Sequence, residues 1–402
     1  MKSHYCGEIT SSNLKEEVTI CGWIHRRRDH GGVIFLDVRD IKGICQAVVN
    51  PDNEKSFKLA ESIRNEYVVK IKGIVRKRLE GTINKNMHTG EIEIEVKDLI
   101  ILSKANTPVF PIDEYQEVNE DVRLKNRVLD LRRPEMNERI ITRSKITSLI
   151  RNYLDKNDFH EIETPILTKA TPEGARDYIL PSRVQPGSFY ALPQSPQLFK
   201  QLLMIGGLDK YYQIARCFRD EDLRADRQPE FTQIDIEASF IDQDEIMKIS
   251  EKMIKDIIKE FCGDKLEKFE IINWHDAMRD YGCDKPDLRI PLKLVDISEL
   301  VKDEEFKVFS EPAQKKESRV VALKVPKGNL LSRGQIDDYT KFVSKLGAKG
   351  LAYIKINDVN DLENGIQSPI LKFLKPETVT NIIKSLDTKT DDLIFFGAGS
   401  ES

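Results

Sequence analysis

The segment FRDEDLRADRQPEFTQID, residues 218–235, decides how the middle of the chain folds. The residues on either side of its charged loop predict two β-strands, at 211–218 and 232–240. Such a hairpin would place Arg219 on the surface of a sheet, where a planar guanidinium can bind two phosphate oxygens at once. Phe231 would offer an aromatic face to a base. A surface hairpin held by salt bridges is the alternative interpretation of so many charges.

The residues around this hairpin predict a mixed α+β domain that is dominated by an antiparallel sheet. Apolar residues recur with helical spacing between about Asn137 and Asn157, which predicts a long helix with one apolar face. The other predicted elements of this domain are a strand at 159–163, which ends at a turn with Pro165, and helices at 198–206 and 244–261.

The first hundred residues predict a separate small barrel. Period-two alternation indicates three strands, then a helix with apolar spacing follows, and two more strands complete the series. This is the order of an OB-fold, a five-stranded barrel that commonly binds oligonucleotides. The predicted strands lie at 18–24, 33–38, 44–49, 67–75 and 92–101, and the helix lies at 54–64.

Two changes of pattern mark the domain boundaries. The segment TPVFP, residues 107–111, is extended and marked by prolines, as expected of a hinge. From about Asp287 onwards, strand-like and helical pieces alternate and predict a separate α+β module. The predicted domains are a barrel at 1–105, a hinge at 106–135, a central domain at 136–286 and a module at 287–402.

The bulk composition excludes several classes of protein. With a formal net charge of −4 the whole chain does not attract nucleic acids, so RNA contacts must come from local basic patches. The N-terminus lacks the apolar core of a signal peptide and no run approaches a membrane span, so we expect a cytoplasmic protein. The six cysteines form no CxxC pair, which favours reduced thiols over a zinc site or a disulfide framework.

Four ordered motifs resemble those of bacterial-type aspartyl-tRNA synthetases, which are class II aminoacyl-tRNA synthetases. The charged loop and the strand that begins PEFTQ, residues 229–233, resemble motif 2 of the class, and FHEIETP, residues 159–165, resembles motif 1. The stretches TPEGARDY at 171–178 and QSPQLFKQ at 194–201 are similar to the aspartate enzyme in particular. The resemblance covers the whole chain, and it implies a homodimer formed through motif 1.

The resemblance implies a binding site for L-aspartate whose charges complement the substrate. Acids and amides suit the ammonium group, and a lysine suits the side-chain carboxylate. Arg219 would be the catalytic residue that bridges the substrate carboxylate and the α-phosphate of ATP. The implied aspartate-binding residues are Glu173, Ser195, Gln197, Lys200, Arg219 and Asp235.

The same resemblance implies an ATP site beside the aspartate site. Phe231 would stack on adenine, and Mg²⁺ should accompany ATP because the triphosphate charge needs neutralising. No residue is assigned as a resident metal ligand. The implied ATP-binding residues are Arg219, Asp220, Glu221, Gln228 and Phe231.

The implied reaction has two steps and needs no nucleophile from the enzyme. The aspartate carboxylate attacks the α-phosphorus in line, which gives aspartyl-adenylate and pyrophosphate. The terminal ribose hydroxyl of the tRNA then attacks the activated carbonyl. Catalysis would come from positioning and charge stabilisation. The expected partners are tRNA and aspartate, with no membrane and no DNA.

Two basic clusters, at 26–28 and 76–78, lie at predicted strand ends of the barrel. Cations for phosphates, an aromatic ring for stacking and amides for base edges are what single-stranded RNA binding requires. By its resemblance, the barrel is the anticodon-binding domain. The alternative is that the clusters are solvated strand ends and that Phe35 belongs to the core. The predicted anticodon-binding residues are Arg28, Phe35, Gln46, Arg78, Asn84 and Glu93.

His30 and Gly81 bear on how strictly the tRNA is selected. Their surroundings, DHGG at 29–32 and EGT at 80–82, resemble bacterial enzymes that charge both tRNA(Asp) and tRNA(Asn). Strict enzymes tend to carry a leucine in place of His30 and a bulkier residue in place of Gly81. We therefore expect relaxed specificity, with an amidotransferase to correct aspartyl-tRNA(Asn). The alternative is a strictly tRNA(Asp)-specific ligase in which both are ordinary turn residues.

One motif of the family is missing from the sequence. No glycine-rich strand and arginine of the motif 3 kind follow Asp235, and residues 291–402 resemble the GAD-like insertion that bacterial aspartyl enzymes carry between motifs 2 and 3. We expect a fragment or frameshifted form of a longer enzyme, with unpaired edges in an incomplete catalytic sheet. The alternative is a truncated, non-catalytic tRNA-binding chain. A generic OB-fold single-strand binder would not explain residues 159–240.

Overall fold

The N-terminal strands close into a barrel because alternate residues of each strand point into a common apolar interior. In the computed structural model these elements are β1 (Glu17–His30), β2 (Val33–Asp40), β3 (Gly43–Val49), α1 (Glu54–Ser62), β4 (Val68–Lys77) and β5 (Ile92–Ser103). The barrel runs in the order β1-β2-β3-β5-β4, and the parallel pair β3–β5 closes it. The predicted OB-fold is confirmed.

The hairpin between β1 and β2 turns on Gly31 and Gly32, whose φ angles are 63° and 86°. A two-residue hairpin of type I′ needs positive φ at both positions, and glycine adopts it without strain. His30 pairs with Val33 directly before the turn, so its ring stands at the rim of the barrel.

Three helices follow the barrel: α2 (Glu120–Lys125), α3 (Arg127–Asp130) and the long α4 (Pro134–Asp155). The structure describes residues 1–112 and 117–400, so the part of the predicted hinge at 113–116 lies outside the described residues. The start of α4 carries Pro at its first turn, where a missing N–H costs nothing. The long helix therefore begins a few residues earlier than its apolar spacing predicts.

A buried ion cluster joins the barrel to the segment before α4. Glu66 accepts hydrogen bonds from Arg39 at both carboxylate oxygens, each at 3.0 Å, and Arg132 Nη1 lies 3.0 Å from Glu66 Oε2. The Arg132 guanidinium also lies 5.3 Å from the ring centroid of Trp23. Burial and the neighbouring Arg39 lower the pKa of His25, so its neutral ring faces the Arg39 guanidinium at 3.3 Å.

The central domain packs two helices against a small sheet. Ile150 and Leu154 of α4 meet Tyr212 and Met253 in one apolar cluster. The sheet has the order β10-β9-β6, with β9 and β10 antiparallel. The elements after α4 are β6 (His160–Glu161), β7 (Ile179–Pro181), β8 (Phe189–Ala191), α5 (Gln197–Ile205), β9 (Lys210–Phe218), β10 (Glu230–Ala238) and α6 (Gln243–Cys262).

Two strands of this domain end earlier than the sequence predicts. β6 pairs over two residues, and after Ile162 donates to Tyr212 O at 3.1 Å the chain departs towards Pro165, which has no N–H for a ladder. The predicted strand at 232–240 also ends early. Phe240 has a φ of 57° and is 96% exposed, because the chain turns there to reach Asp242, the N-cap of α6.

The chain divides into two units, Met1–Leu266 and Glu267–Ser402. The second unit has a five-stranded sheet in the order β11-β12-β15-β13-β14, each neighbouring pair being antiparallel. Its elements are α7 (Trp274–Tyr281), β11 (Leu294–Asp296), α8 (Ser298–Val301), α9 (Lys307–Ala313), β12 (Ser318–Val325), α10 (Arg333–Lys345), β13 (Ala352–Ile356), β14 (Ile366–Gln367), α11 (Pro376–Ser385) and β15 (Leu393–Ser400).

Both faces of this second sheet carry helices, as neighbouring residues of β15 show. Phe396 packs against Phe309 of α9, with ring centroids 5.3 Å apart, while Phe395 on the other face meets Tyr339 of α10 at 6.2 Å. An α+β unit results, as the alternating pattern of the sequence predicts. Within residues 1–112 and 117–400, no helix combines the length and apolar character needed to cross a bilayer.

Candidate functional site

The hairpin formed by β9 and β10 carries the central arginine of the predicted active site. Arg219 directly follows β9, and its N–H donates to Pro229 O at 2.9 Å, so the pairing continues one residue beyond the strands. Its guanidinium carbon lies 5.1 Å from the ring centroid of Phe231. The cation and the aromatic face thus form one surface at the end of the hairpin.

A cavity of about 360 Å³ opens beside this Arg219–Phe231 surface, within the range of small-molecule pockets. Glu221 and Gln228 also line it. The structure therefore brings four of the five predicted ATP-binding residues together. The fifth, Asp220, instead bridges to Arg176, whose carbonyl oxygen accepts from the Asp220 N–H at 3.1 Å.

Oxygen donors beside this cavity suit Mg²⁺. Three carboxylates, those of Glu221, Asp222 and Asp226, line it. Mg²⁺ is usually held by one or two protein carboxylates together with substrate phosphates rather than by a complete protein cage. In the part of the chain that the structure describes, no three His, Cys, Asp or Glu side chains are grouped to hold a metal by themselves. The donor set fits an ion that arrives with a nucleotide.

A buried lysine stands between two carboxylates of β10. Lys200 Nζ lies 2.8 Å from Asp235 Oδ1 and 3.3 Å from Glu237 Oε2, and Gln233 Nε2 donates to the same Asp235 oxygen at 3.1 Å. Burial disfavours the ammonium, but the bonds to Asp235 and Glu237 outweigh it and raise the pKa of Lys200. Asp235 Oδ2 is buried and has no hydrogen-bond partner among the described residues.

A second polar pair joins the loop before β7 to the segment between β8 and α5. Ser195 Oγ donates to Glu173, with the nearer carboxylate oxygen at 3.1 Å. The buried amide of Gln194 holds that loop in place, because it donates to Ala175 O at 2.8 Å and accepts from Ala175 N at 2.9 Å. Gln197, half-buried, is the first residue of α5.

The thiol nearest this site is not a nucleophile at neutral pH. Cys217 lies on β9 opposite Phe231, and burial raises its pKa to about 11. Positioning and charge, rather than a covalent enzyme intermediate, are what these residue types can supply.

On the barrel, a row of hydrogen-bonded polar side chains crosses the outer face; we call it the polar row, and it consists of Arg28, Asp37, Gln46, Glu93 and Arg76. Arg28 Nη2 lies 2.7 Å and 2.9 Å from the two Asp37 oxygens and 3.1 Å from Gln46 Oε1. Gln46 Nε2 donates to Glu93 Oε2 at 2.9 Å, and Arg76 Nε donates to Glu93 Oε1 at 2.9 Å. These arginines are therefore fixed by acids rather than being solvated strand ends.

The other predicted anticodon residues lie around this row. Phe35 is half-buried on the outer face, with the His30 ring edge-on at 6.1 Å, so it does not belong to the interior core. Arg78 is buried and donates to Ile92 O at 3.0 Å, and burial lowers its pKa. Asn84 is exposed and its Oδ1 accepts from Asn86 N at 3.0 Å, within its own loop.

Gly81 occupies a turn in the same loop, closed by a hydrogen bond from Thr82 N to Leu79 O at 3.0 Å. Its φ of 86° favours glycine, yet an added Cβ would meet no atom within 4 Å. A larger residue there would be strained by its backbone but would not clash.

Sequence reasoning did not single out several side chains that the structure places at these sites. Period-two spacing could have found two of them, because Glu237 follows Asp235 and Asp37 follows Phe35 by two residues on the same strand face. Gln194 begins the stretch QSPQLFKQ and Arg76 belongs to the basic cluster at 76–78, but the sequence assigned neither of them a role at these sites.

Comparison with known proteins identifies the family. Residues 119–394 match the family model described as tRNA synthetases class II (D, K and N), and residues 18–102 match the model described as OB-fold nucleic acid binding domain. The chain belongs to the class II tRNA synthetases. Aminoacyl-tRNA synthetases of this class are ligases that use ATP, generally with Mg²⁺, and act on tRNA and an amino acid.

Solved structures of two such synthetases share the fold. The asparaginyl-tRNA synthetase of Pyrococcus horikoshii, complexed with asparaginyl-adenylate, has a TM-score of 0.57 and 21% identity over 98% of this chain and 92% of that chain. A protein from Leishmania major Friedlin described as an aspartyl-tRNA synthetase has a TM-score of 0.56 and 18% identity over 96% of this chain and 87% of that chain. These similarities show a shared fold and do not choose among the amino acids of the family.

Proposed function

We propose that this synthetase joins L-aspartate to tRNA(Asp) and also to tRNA(Asn), using ATP. The observation that carries the choice of amino acid is the buried ammonium of Lys200 beside Asp235. A cation in a partly desolvated pocket favours a side-chain carboxylate over a neutral amide, because a charge-assisted hydrogen bond is about twice as strong as a neutral one.

The remaining charges of the pocket complement the rest of an amino acid. Asp235 Oδ2 and Glu173 can accept hydrogen bonds from an ammonium group, with Ser195 beside them. Lys200 would exchange part of its pairing with Asp235 and Glu237 for the substrate's side-chain carboxylate. Gln197 would complete the amide contacts to the ammonium.

Arg219 would hold the two reacting groups together. A guanidinium stays charged at any relevant pH and can bind the substrate carboxylate and the α-phosphate at the same time. Phe231, Glu221, Gln228 and Asp220 would hold the nucleotide, with Mg²⁺ neutralising part of the phosphate charge. The carboxylate then attacks the α-phosphorus, pyrophosphate leaves, and the ribose hydroxyl of the tRNA displaces AMP from the adenylate.

The proposed active form is a homodimer through the motif 1 segment 159–165. Apolar side chains directly after this segment are exposed in the single chain, Ile166 to 46% and Leu167 to 56%. Exposed apolar residues beside a two-residue strand support a surface that a second subunit covers.

Pyrophosphate exchange tests the choice of amino acid. The purified chain should exchange labelled pyrophosphate into ATP with L-aspartate and do so at least about 100-fold less efficiently with L-asparagine. Preferential exchange with L-asparagine would reject the aspartate assignment. If no amino acid supports exchange while tRNA binds tightly, the chain is instead a non-catalytic tRNA-binding protein.

Parallel charging of purified tRNA(Asp) and tRNA(Asn) tests the relaxed specificity. Both tRNAs should accept aspartate, and His30→Leu should lower charging of tRNA(Asn) more than charging of tRNA(Asp). The edge-on contact of His30 with Phe35 supports this, because a leucine would change the surface beside the stacking ring. A wild-type chain that charges tRNA(Asp) alone is the result expected of the strict enzyme.

A further inference from the structure

We propose that Asp37 is a positioning residue that fixes the hydrogen-bonding direction of Gln46, and with it the edge that the barrel presents to an anticodon base. The inference rests on the proposed function of the barrel in tRNA recognition. Both carboxylate oxygens of Asp37 are already held by Arg28, at 2.7 Å and 2.9 Å, so its effect on RNA passes through its neighbours.

The strands bring these groups together by their register. Arg28 of β1 pairs with Phe35 of β2, and Asp37, two residues further along the same face of β2, pairs with Gln46 of β3. The carboxylate of Asp37 thereby lies under the Arg28 guanidinium and holds it at 2.7 Å and 2.9 Å. The same Arg28 nitrogen reaches across to Gln46 Oε1 at 3.1 Å.

The direction of the Gln46 amide follows from the chemistry of its neighbours. An arginine can only donate hydrogen bonds, and an ionised carboxylate can only accept them. Gln46 must therefore turn its oxygen towards Arg28 and its nitrogen towards Glu93, which accepts at 2.9 Å. Arg76 holds the other oxygen of Glu93 at 2.9 Å, so both ends of the row are fixed by a charged residue.

A fixed Gln46 amide gives the barrel a defined order of hydrogen-bond donor and acceptor at this position. With one lone pair and one N–H already used, Gln46 has one acceptor and one donor left for a base, and their order along the edge is set. Without the Asp37 charge, Arg28 loses its carboxylate partner, and the oxygen end of the Gln46 amide is held less firmly, with Glu93 alone fixing its nitrogen end. A turned amide would present its donor where the base needs an acceptor.

RNA binding by the full chain tests this proposal. The probe is a stem-loop RNA with the anticodon loop of tRNA(Asp), compared with stem-loops that carry single anticodon substitutions. Asp37→Asn should weaken binding of the matched loop by about tenfold and reduce discrimination against the substituted loops by a similar factor. Thermal unfolding of the variant shows whether the barrel is folded.

A charge-matched control separates positioning from simple electrostatics. Asp98→Asn removes the same charge from β5 at a half-exposed position paired only loosely, at 3.7 Å, with Lys55. Removing a negative charge from the protein weakens its repulsion of RNA phosphates. Asp98→Asn should therefore leave RNA binding unchanged or make it slightly tighter. The proposal requires Asp37→Asn to have the opposite sign. Equal or tighter binding by a folded Asp37→Asn chain, with discrimination retained, overturns it.

A double-mutant cycle tests whether Asp37 acts through Gln46. In a Gln46→Ala background, Asp37→Asn should lose most of its effect on discrimination. An undiminished effect there would mean that Asp37 acts by another route. Pyrophosphate exchange uses no RNA, so an exchange result that rejects aspartate or the ligase activity leaves this comparison of RNA binding unaffected.

Discussion

At the residue scale, the charged side chains of the proposed aspartate site are already paired with one another. Lys200 is paired with Asp235 and Glu237, so an incoming amino acid must redistribute these contacts rather than enter an empty pocket. Because the lysine pKa is raised, the stability that its pairing contributes is present at neutral pH and is lost as pH rises through the folded value. Lys200 therefore keeps its charge throughout the neutral range.

Replacing Lys200 should have larger effects on stability and on activity than replacing an ordinary surface lysine. Lys200→Met removes the cation and leaves Asp235 buried without its main partner, so we expect a loss of about 3–5 kcal/mol in unfolding free energy and at least about a 100-fold loss of aspartate-dependent exchange. Urea unfolding and exchange kinetics measure the two effects. Lys248→Met, at an exposed position of α6, is the matched control and should alter neither. Retained exchange in a folded Lys200→Met chain would contradict the proposed pocket.

Some of these residues could be expected from the sequence and others could not, for a physical reason. Arg219 and Phe231 lie on one hairpin, so local pattern was enough to expect an arginine and an aromatic ring together. The pairing of Lys200 with Asp235 depends on how α5 lies against β9 and β10, which no local pattern encodes. The roles assigned to these residues stay predictions until the assays are made.

At the element scale, the order of the OB-fold elements could be predicted because apolar and polar residues alternate along each barrel strand and turn-forming residues separate the strands. The residues at which the elements end could not be predicted from the sequence, because they depend on tertiary contacts. β6 stops where the chain leaves Tyr212, and β10 stops where Phe240 turns towards the α6 cap. The ion cluster around Glu66, which joins the barrel to the segment before α4, also comes from residues far apart in sequence.

The buried ion cluster around Glu66 should contribute more to the free energy of unfolding than an exposed ion pair does. Glu66→Gln leaves Arg39, itself 8% exposed, without its carboxylate and releases Arg132, so we expect a loss of about 3–5 kcal/mol in unfolding free energy. Glu8→Gln breaks an exposed pair with Lys42 at 3.3 Å and should cost at most about 1 kcal/mol. Denaturant titrations of both variants make the comparison. Similar losses for the two would show that burial gives the Glu66 cluster no special weight.

At the scale of the whole molecule, the chain consists of two units joined by an exposed segment. Residues 263–273, between α6 and α7, contain neither helix nor strand and are largely exposed. Such a segment is the preferred site of proteolysis because its backbone can enter a protease cleft without unfolding a domain. Neither unit should lose its core when the segment is cut.

Limited trypsin digestion tests whether the segment 263–273 is cleaved first. The first cuts should fall after Lys265 or Lys268 and yield two resistant fragments that mass spectrometry assigns to the two units. Replacing both lysines with glutamine should delay the first cut several-fold. Early cleavage within the barrel or within either sheet, before residues 263–273 are cut, would be inconsistent with this division.

The distribution of the free thiols offers a practical consequence. Cys262 and Cys283 are exposed, the first directly before the connecting segment and the second beyond it, after α7, whereas Cys6, Cys45 and Cys217 are buried and Cys21 is partly covered. Once Cys21 is replaced by serine, maleimide dyes should attach to one native position on each unit. Single-molecule energy transfer between them would then report whether the units change their separation when nucleotide or RNA is added.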